Sequence, residues 1–115
     1  MLLRREAIAD VGFFDESTFF MYWEDTDLSF RLRRAGWQLA VAVDSRVWHK
    51  QSASLGKRSS LLDQYFTRSG VRFLRRYAPI PFISILFMLG MMLAARHARG
   101  EIGRARAVLK GFLDA

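Results

Sequence analysis

The sequence predicts an α/β fold that continues into C-terminal helices, one of them strongly apolar. A helical pattern over residues 24–35 is followed by a strand-like alternation over residues 37–43. A basic amphipathic stretch and then an uncharged stretch over residues 77–95 predict the C-terminal helices. We therefore expect a first region, residues 1–56, that carries the α/β part, and a helical region, residues 57–115.

The first predicted elements are a short helix and an aromatic loop. Residues 5–11 place their apolar side chains on one side and are followed by Gly12, which favours a helix that ends there. Leu2 and Leu3, just before this helix, are predicted to end a strand. Residues 13–22 combine phenylalanines with polar side chains, which predicts an aromatic loop.

A second helix and a strand are predicted after the loop. Leu28, Leu32 and Ala35 recur at i, i+4 and i+7, the spacing of one helix face. Acids in the first turn and arginines in the last turns match the helix dipole. These residues are Glu24, Asp25, Asp27, Arg31, Arg33 and Arg34. Residues 37–43 then alternate as a half-buried strand does, and residues 47–48 predict a second short strand.

The C-terminal region is predicted to be helical throughout. Residues 61–77 form a basic amphipathic pattern that Pro79 and Pro81 end, and residues 102–113 form a last amphipathic segment. A helix from Pro81 to Ala95 would reach roughly 22 Å, which is short of the ~30 Å hydrocarbon core of a bilayer. The sequence thus favours a helix lying on or dipping into one leaflet. The alternatives are a helix buried within a larger protein, or a full span if the bilayer is thin or the helix extends to Tyr77.

Charge is divided unevenly along the chain. Residues 1–50 contain seven Lys or Arg against eight Asp or Glu, whereas residues 51–115 contain eleven against three. The basic second half favours an anionic partner such as a phosphate-bearing ligand or a membrane surface. Nucleic acid is disfavoured, because the arginines flank an apolar stretch and form no groove-reading element. The chain has no cysteine, which excludes disulfides and thiolate metal sites.

Carboxylates and aromatic side chains are interleaved over residues 13–27, which makes this segment the candidate site. A carboxylate among aromatic rings is costly to desolvate unless it binds or reacts with something. At a helix N-terminus it is kept ionised and can act as a general base towards a hydroxyl group. A helix cap with surface acids is an equally favoured interpretation. His49 would share a divalent ion with these acids only if they lie nearby.

Residues 4–49 resemble the acceptor half of the family 2 glycosyltransferases, which are inverting enzymes of the GT-A (Rossmann-like) fold. The matching sequence is RREAIADVGFFDESTFFMYWEDTDLSFRLRRAGWQLAVAVDSRVWH. In that family a G-G-F-D-E element is followed by an aromatic stretch, E-D-x-D-L, R-x-x-x-x-G-W, a strand and a histidine. Here Phe13 stands where the second glycine is usual. A looser resemblance continues through QYFTRSGVRFLRRYAP, where Ser69 replaces an expected Asn. The rhamnosyltransferase-like branch, which builds bacterial surface polysaccharides, is the most similar.

The resemblance implies a role for each residue of the acidic element. Asp25 would be the catalytic base that deprotonates the acceptor hydroxyl. Glu24 and Asp27 would shape the acceptor pocket, and Trp23 would stack on a sugar face. Together they would form the acceptor side of an inverting sugar transfer.

The resemblance also implies contacts to the donor and to the membrane. His49 would help to ligate a Mg²⁺ or Mn²⁺ ion on the diphosphate of a nucleotide-sugar donor, and Arg68 would approach the diphosphate or a lipid-linked acceptor. The complete enzyme would be membrane-associated, on the cytoplasmic side. Because the nucleotide-binding half of the family is missing from this sequence, we expect a fragment that is inactive alone. The alternative is a non-enzymatic, small basic peripheral membrane protein.

Overall fold

Five α-helices form the framework of the chain in a computed structural model that describes residues 1–48 and 59–115. In chain order they are α1, Arg5–Val11; α2, Glu24–Arg34; α3, Ser60–Tyr77; α4, Pro81–Ala98; and α5, Ile102–Leu113. The sequence-based prediction of each helix is confirmed, and α4 runs beyond its predicted end to Ala98. The predicted boundary after residue 56 lies outside the described residues, so the division into 1–56 and 57–115 stays a prediction.

The predicted α/β fold of GT-A (Rossmann-like) type is wrong, because the described part of the chain contains no strand. Residues 37–43 and 47–48 are irregular, as are Leu2 and Leu3. A strand requires a neighbouring extended segment whose backbone completes its hydrogen bonds. No such segment lies beside residues 37–43 within the two described ranges, and Val41 and Val43 are 87% and 86% exposed. The alternation of apolar and polar residues over 37–43 was therefore not sufficient to form a strand.

α1 packs against α2 around a small apolar cluster. The buried members of this cluster are Ala7, Leu28 and Leu32. Arg31 of α2 also donates hydrogen bonds to the main-chain oxygens of Val11 and Phe13, each at 2.6 Å. Since the last carbonyl groups of a helix lack partners within it, Arg31 caps α1 and fixes the start of the aromatic loop.

α3, α4 and α5 pack on one another as a three-helix bundle. α5 approaches α3 closely at Gly111, where an added Cβ would collide with the main-chain oxygen of Gln64. A mostly buried ion-pair cluster joins all three helices, because Asp63 of α3 accepts from Arg96 of α4 at 2.9 Å and from Arg104 of α5 at 2.6 Å. The hydrogen bond that Arg104 donates to Asp63 is the first cause of the raised pKa of Arg104, which remains charged.

The outer face of α4 is apolar and exposed. Phe82 and Phe87 are 77% and 70% exposed, and Ile85 is the one buried residue of the helix. By length and composition alone, α4 is long and apolar enough to cross a membrane. Its 18 residues reach about 27 Å, still slightly less than a ~30 Å hydrocarbon core. A helix this apolar is normally covered by protein or lipid, which makes its exposed face a candidate contact surface.

Candidate functional site

The aromatic loop, residues 13–22, is held against α3 by polar side chains. Ser69 Oγ donates to the main-chain oxygen of Met21 at 2.8 Å. Arg72 Nη1 donates to the main-chain oxygen of Thr18 at 3.0 Å. Each bond satisfies a loop carbonyl group that no helix or strand satisfies. The position where the family resemblance expects Asn is thus occupied by a serine that anchors the loop.

Asp15 is a second anchor of the loop. Its Oδ2 lies 2.9 Å from Arg76 Nη1 of α3, and its Oδ1 accepts from Ser17 and Thr18 at 2.7 and 3.1 Å. Burial by itself raises the pKa of Asp15, but hydrogen bonds from Ser17, Arg76 and Thr18 outweigh it and hold that pKa well below its usual range. Asp15 is therefore ionised at neutral pH and ties the loop to α3.

The chain enters α2 through two consecutive residues with left-handed backbone conformation. The φ angles of Tyr22 and Trp23 are 64° and 70°. Bulky side chains rarely adopt this conformation, which costs on the order of 1–2 kcal/mol for each residue. The turn is held by the bond from Ser69 to Met21 and by the Asp27 amide, which donates to the Trp23 carbonyl at 2.8 Å. Strain of this kind concentrates at functional sites.

The Trp23 side chain packs between the loop and α3. Its ring centroid lies 5.5 Å from that of Phe66 and 5.0 Å from that of Phe73. Gly70 makes room for the ring, since an added Cβ there would lie 3.2 Å from it. The indole nitrogen is buried and has no hydrogen-bond partner among the described residues. The structure thus places Trp23 in a packing role, and its stacking on a sugar stays a prediction.

Asp27 is completely buried and joins α2 to α3. Its Oδ2 accepts from Arg31 Nε at 2.8 Å, and its Oδ1 accepts from the Tyr77 hydroxyl at 2.7 Å and from Arg76 Nη1 at 3.2 Å. Burial, followed by the bond to Asp27, raises the pKa of Tyr77. The Asp27 carboxylate therefore contacts protein groups on both oxygens. Its predicted part in shaping the acceptor pocket is untested, and any such effect would act through the position of α2.

Asp25 is exposed in the first turn of α2 and lines an open depression of about 730 Å³. Its Oδ1 accepts a hydrogen bond from the Thr26 amide at 2.7 Å. No described residue donates to its Oδ2. The other residues that line the depression are Thr26, Ser29, Phe30, Arg33, Arg34 and Leu39. One carboxylate oxygen is therefore held in place while the other remains available to a hydroxyl group that enters the depression.

Glu24 faces a different depression from its neighbour Asp25. This second depression, about 350 Å³, is lined by Glu24 together with Phe14, Glu16, Phe19 and Phe20. Glu24 Oε2 is buried without a hydrogen-bond partner in the described part of the chain. A buried carboxylate oxygen with no partner is costly, which makes Glu24 a candidate ligand-binding group. The structure does not bring the four predicted acceptor residues together around one cavity.

Ser29 and Arg33 line the Asp25 depression, although the sequence-based prediction did not include them. Their positions follow from helix geometry, because Asp25, Ser29 and Arg33 recur at i, i+4 and i+8. The signal that could have identified them was therefore the helical period applied to the polar face of α2. Leu39 follows the helix in irregular structure, and no periodicity could have placed it there.

The remaining predicted site residues lie elsewhere. Arg68 belongs to α3 and stacks over the Tyr65 ring at 5.8 Å, and it does not line the Asp25 depression. His49 lies outside the described residues. Across residues 1–48 and 59–115, no group of three or more His, Cys, Asp or Glu side chains could hold a metal ion. These residues by themselves do not fit Mg²⁺ or Mn²⁺, and the metal stays a prediction.

Half of the chain is similar to a curated enzyme. Over 57 residues, 50% of this chain, it is 44% identical to N-acetylglucosaminyl-diphospho-decaprenol L-rhamnosyltransferase from two strains of Mycobacterium tuberculosis. The matched segment spans 18% of the length of these relatives. No protein-family model matches the chain, and no solved structure matches it. One half of the chain is therefore similar to a part of a glycosyltransferase.

Proposed function

We propose that this chain supplies the acceptor-activating part of a family 2 glycosyltransferase that acts at the cytoplasmic face of a membrane. The observation that carries this proposal is the exposed carboxylate of Asp25, which has one oxygen held by the Thr26 amide and one oxygen free. The similarity to a rhamnosyltransferase supports the reaction class. Following the name of that relative, we assign rhamnose as the donor sugar and a lipid-linked N-acetylglucosaminyl diphosphate as the acceptor.

Asp25 would act as the general base of the transfer. Its free Oδ2 takes the proton of the acceptor hydroxyl while the hydroxyl oxygen attacks the anomeric carbon of the donor sugar. The bond from that carbon to the nucleoside diphosphate breaks, and the diphosphate leaves with the electron pair. Because the attack comes from the face opposite the leaving group, the configuration inverts. The Thr26 amide keeps the carboxylate oriented throughout this step.

Arg33 and Arg34 would bind the diphosphate of the acceptor. Both line the Asp25 depression, and the Arg34 guanidinium lies over the Tyr77 ring at 5.9 Å. Eight residues separate Asp25 from Arg33, which is about 12 Å along the helix axis. A sugar ring joined to a diphosphate is of comparable length. Arginine suits this role, because its planar guanidinium can bind phosphate oxygens in pairs.

A full-length chimera tests the assignment of the base. The mycobacterial enzyme is cut at the start of the segment that is similar to this chain, and everything from that point onward is replaced by this chain. Rhamnose transfer to the lipid-linked acceptor is then measured. Asp25→Asn is expected to lower kcat by about 10²- to 10⁴-fold without weakening donor binding, since only proton transfer is lost. Asp44→Asn is the matched control, because Asp44 is exposed and lies outside the depression.

Two outcomes would contradict the proposal: one concerns the identity of the base, and the other the presence of an acceptor site. If the Asp25→Asn chimera transferred rhamnose at nearly the unsubstituted rate, another group would be the base. If the unsubstituted chimera folded and bound the donor but transferred no sugar, this chain would not carry an acceptor site.

The competing function is that of a non-enzymatic peripheral membrane protein, which the exposed apolar face of α4 favours. Deletion of residues 78–95, followed by co-sedimentation with anionic vesicles, measures whether this segment binds membranes. Loss of vesicle binding together with an inactive chimera would support the non-enzymatic function. Loss of vesicle binding with an active chimera would instead support an enzyme that works at a membrane surface.

A further inference from the structure

A small apolar cleft lies between the start of α4 and the end of α5. Its volume is about 290 Å³. The residues that line it are Pro81, Phe82, Ile85, Leu86, Leu89, Phe112 and Arg75. All of them are apolar except Arg75, which lies near the end of α3 and is exposed. Pockets for small-molecule ligands range upward from about 300 Å³. Because the cleft lies at the lower end of that range, it accommodates only a slender apolar group, such as part of one hydrocarbon chain.

Arg75 belongs to a basic face of α3. Arg68, Arg72 and Arg75 recur at i, i+4 and i+7, and none of them makes an ion pair with an acid in the described ranges. Arg72 instead donates to the main-chain oxygens of Thr18 and Asp114. Burial, followed by the charges of Arg68 and Arg75, lowers the pKa of Arg72. This face therefore favours an anion beside the cleft.

We propose that the cleft binds one hydrocarbon chain of an anionic phospholipid, whose phosphate is held by Arg75. Phe82 and Leu86 are 77% and 61% exposed beside the cleft, so an inserted chain would remove apolar surface from water. The phosphate would complement the basic face of α3. A single lipid would thereby attach the turn between α3 and α4 to a membrane. This inference does not depend on sugar transfer and is tested without donor or acceptor.

Soluble lipid monomers distinguish the cleft from general adsorption to a bilayer. Isothermal titration calorimetry of the full chain with dihexanoyl phosphatidylglycerol, below its micellar concentration, is expected to show saturable binding. Dihexanoyl phosphatidylcholine should bind about fivefold more weakly, because its headgroup has no net negative charge. Glycerol phosphate, which has no chain, should bind about tenfold more weakly.

Matched substitutions locate the two ends of the lipid. Leu86→Asn is expected to weaken phosphatidylglycerol binding about tenfold, whereas Ile83→Asn should change it by less than about twofold. Both side chains belong to α4 and are similarly exposed, at 61% and 59%, but Leu86 alone lines the cleft. Arg75→Gln should weaken binding about fivefold, and Arg106→Gln, on the exposed surface of α5, should leave it unchanged.

Four results would overturn the proposal. Equal losses with Leu86→Asn and Ile83→Asn would mean adsorption to the whole apolar face. Equal affinity for glycerol phosphate would mean that phosphate alone is bound, and tighter binding of farnesyl phosphate would mean that the occupant is an isoprenoid lipid. The absence of saturable binding would exclude the site. Circular dichroism of each variant checks folding, and Phe82→Ser serves as a second variant of the cleft if Leu86→Asn loses helix content.

Discussion

The described part of the first region, residues 1–48, and the three-helix bundle of α3, α4 and α5 are stabilised in different ways. In the bundle, three helices pack on one another and share the buried ion pairs of Asp63. In the first region, only α1 and α2 pack together, and the aromatic loop depends on hydrogen bonds from α3. The region that carries Asp25 therefore takes much of its shape from the bundle, and changes at their contacts should affect both parts.

The two regions also leave different apolar surfaces exposed. In the first region most of the exposed apolar side chains lie in irregular chain, where Val47 and Trp48 are 81% and 95% exposed. In the bundle the largest group of them lies on one regular helix, α4, and α5 adds Ile102, Leu109 and Leu113. Exposed apolar surface on a protein usually marks a contact with protein or membrane. A continuous helical face suits a lipid surface, because the backbone groups between its terminal turns are already hydrogen-bonded within the helix.

The largest effect is expected from breaking the junction between the two regions. Asp27→Ala should lower the free energy of unfolding by about 3–5 kcal/mol, because it leaves Arg31, Arg76 and Tyr77 without their common partner. Urea denaturation followed by circular dichroism measures this change. Asp44→Ala, at an exposed carboxylate, should change stability by less than about 0.5 kcal/mol. Equal effects of the two substitutions would mean that the junction does not stabilise the chain.

A smaller effect is expected within the bundle. Gly111→Ala should destabilise it by about 1–3 kcal/mol, because the new Cβ would overlap the main-chain oxygen of Gln64 and push α5 away from α3. Gly103→Ala is the matched control on the same helix, since nothing lies within 4 Å of its added Cβ. That control should be neutral or slightly stabilising. Thermal unfolding compares the two, and a neutral Gly111→Ala would contradict the close helix contact.

The smallest effect is expected from the loop anchor Asp15, and it depends on pH. Its pKa is lower in the folded chain than in the unfolded chain, so its ionised form stabilises the fold above about pH 4, and this contribution is lost as pH falls through the folded pKa. The contribution should stay below about 1 kcal/mol, because the Asp15 side chain is 25% exposed. Unfolding measured from pH 7 to pH 2 should show Asp15→Asn approaching the unsubstituted stability in acid. If the difference in stability between Asp15→Asn and the unsubstituted chain did not change with pH, the ionised Asp15 carboxylate would not be its cause.

The helices were predictable because their signals are local. The period of Leu28 and Leu32 shows the buried face of α2, Gly12 ends α1, and Pro81 begins α4. The exposure of Asp25 in the first turn also agrees with its expected position on a helix start. What the local signals could not reveal is that the adjacent Glu24 and Asp25 face different depressions, because the Glu24 depression is closed by the aromatic loop, whose position depends on α3.

By itself, the sequence determined where the helices form, where charge accumulates, and which acid stands exposed at the start of α2. These features depend on neighbours along the chain. Only the tertiary structure decided that Asp27 is a buried junction, because its partners Arg76 and Tyr77 lie about 50 residues further along the chain. It also decided against a strand at residues 37–43, because a strand depends on a paired neighbour that the described chain does not place there.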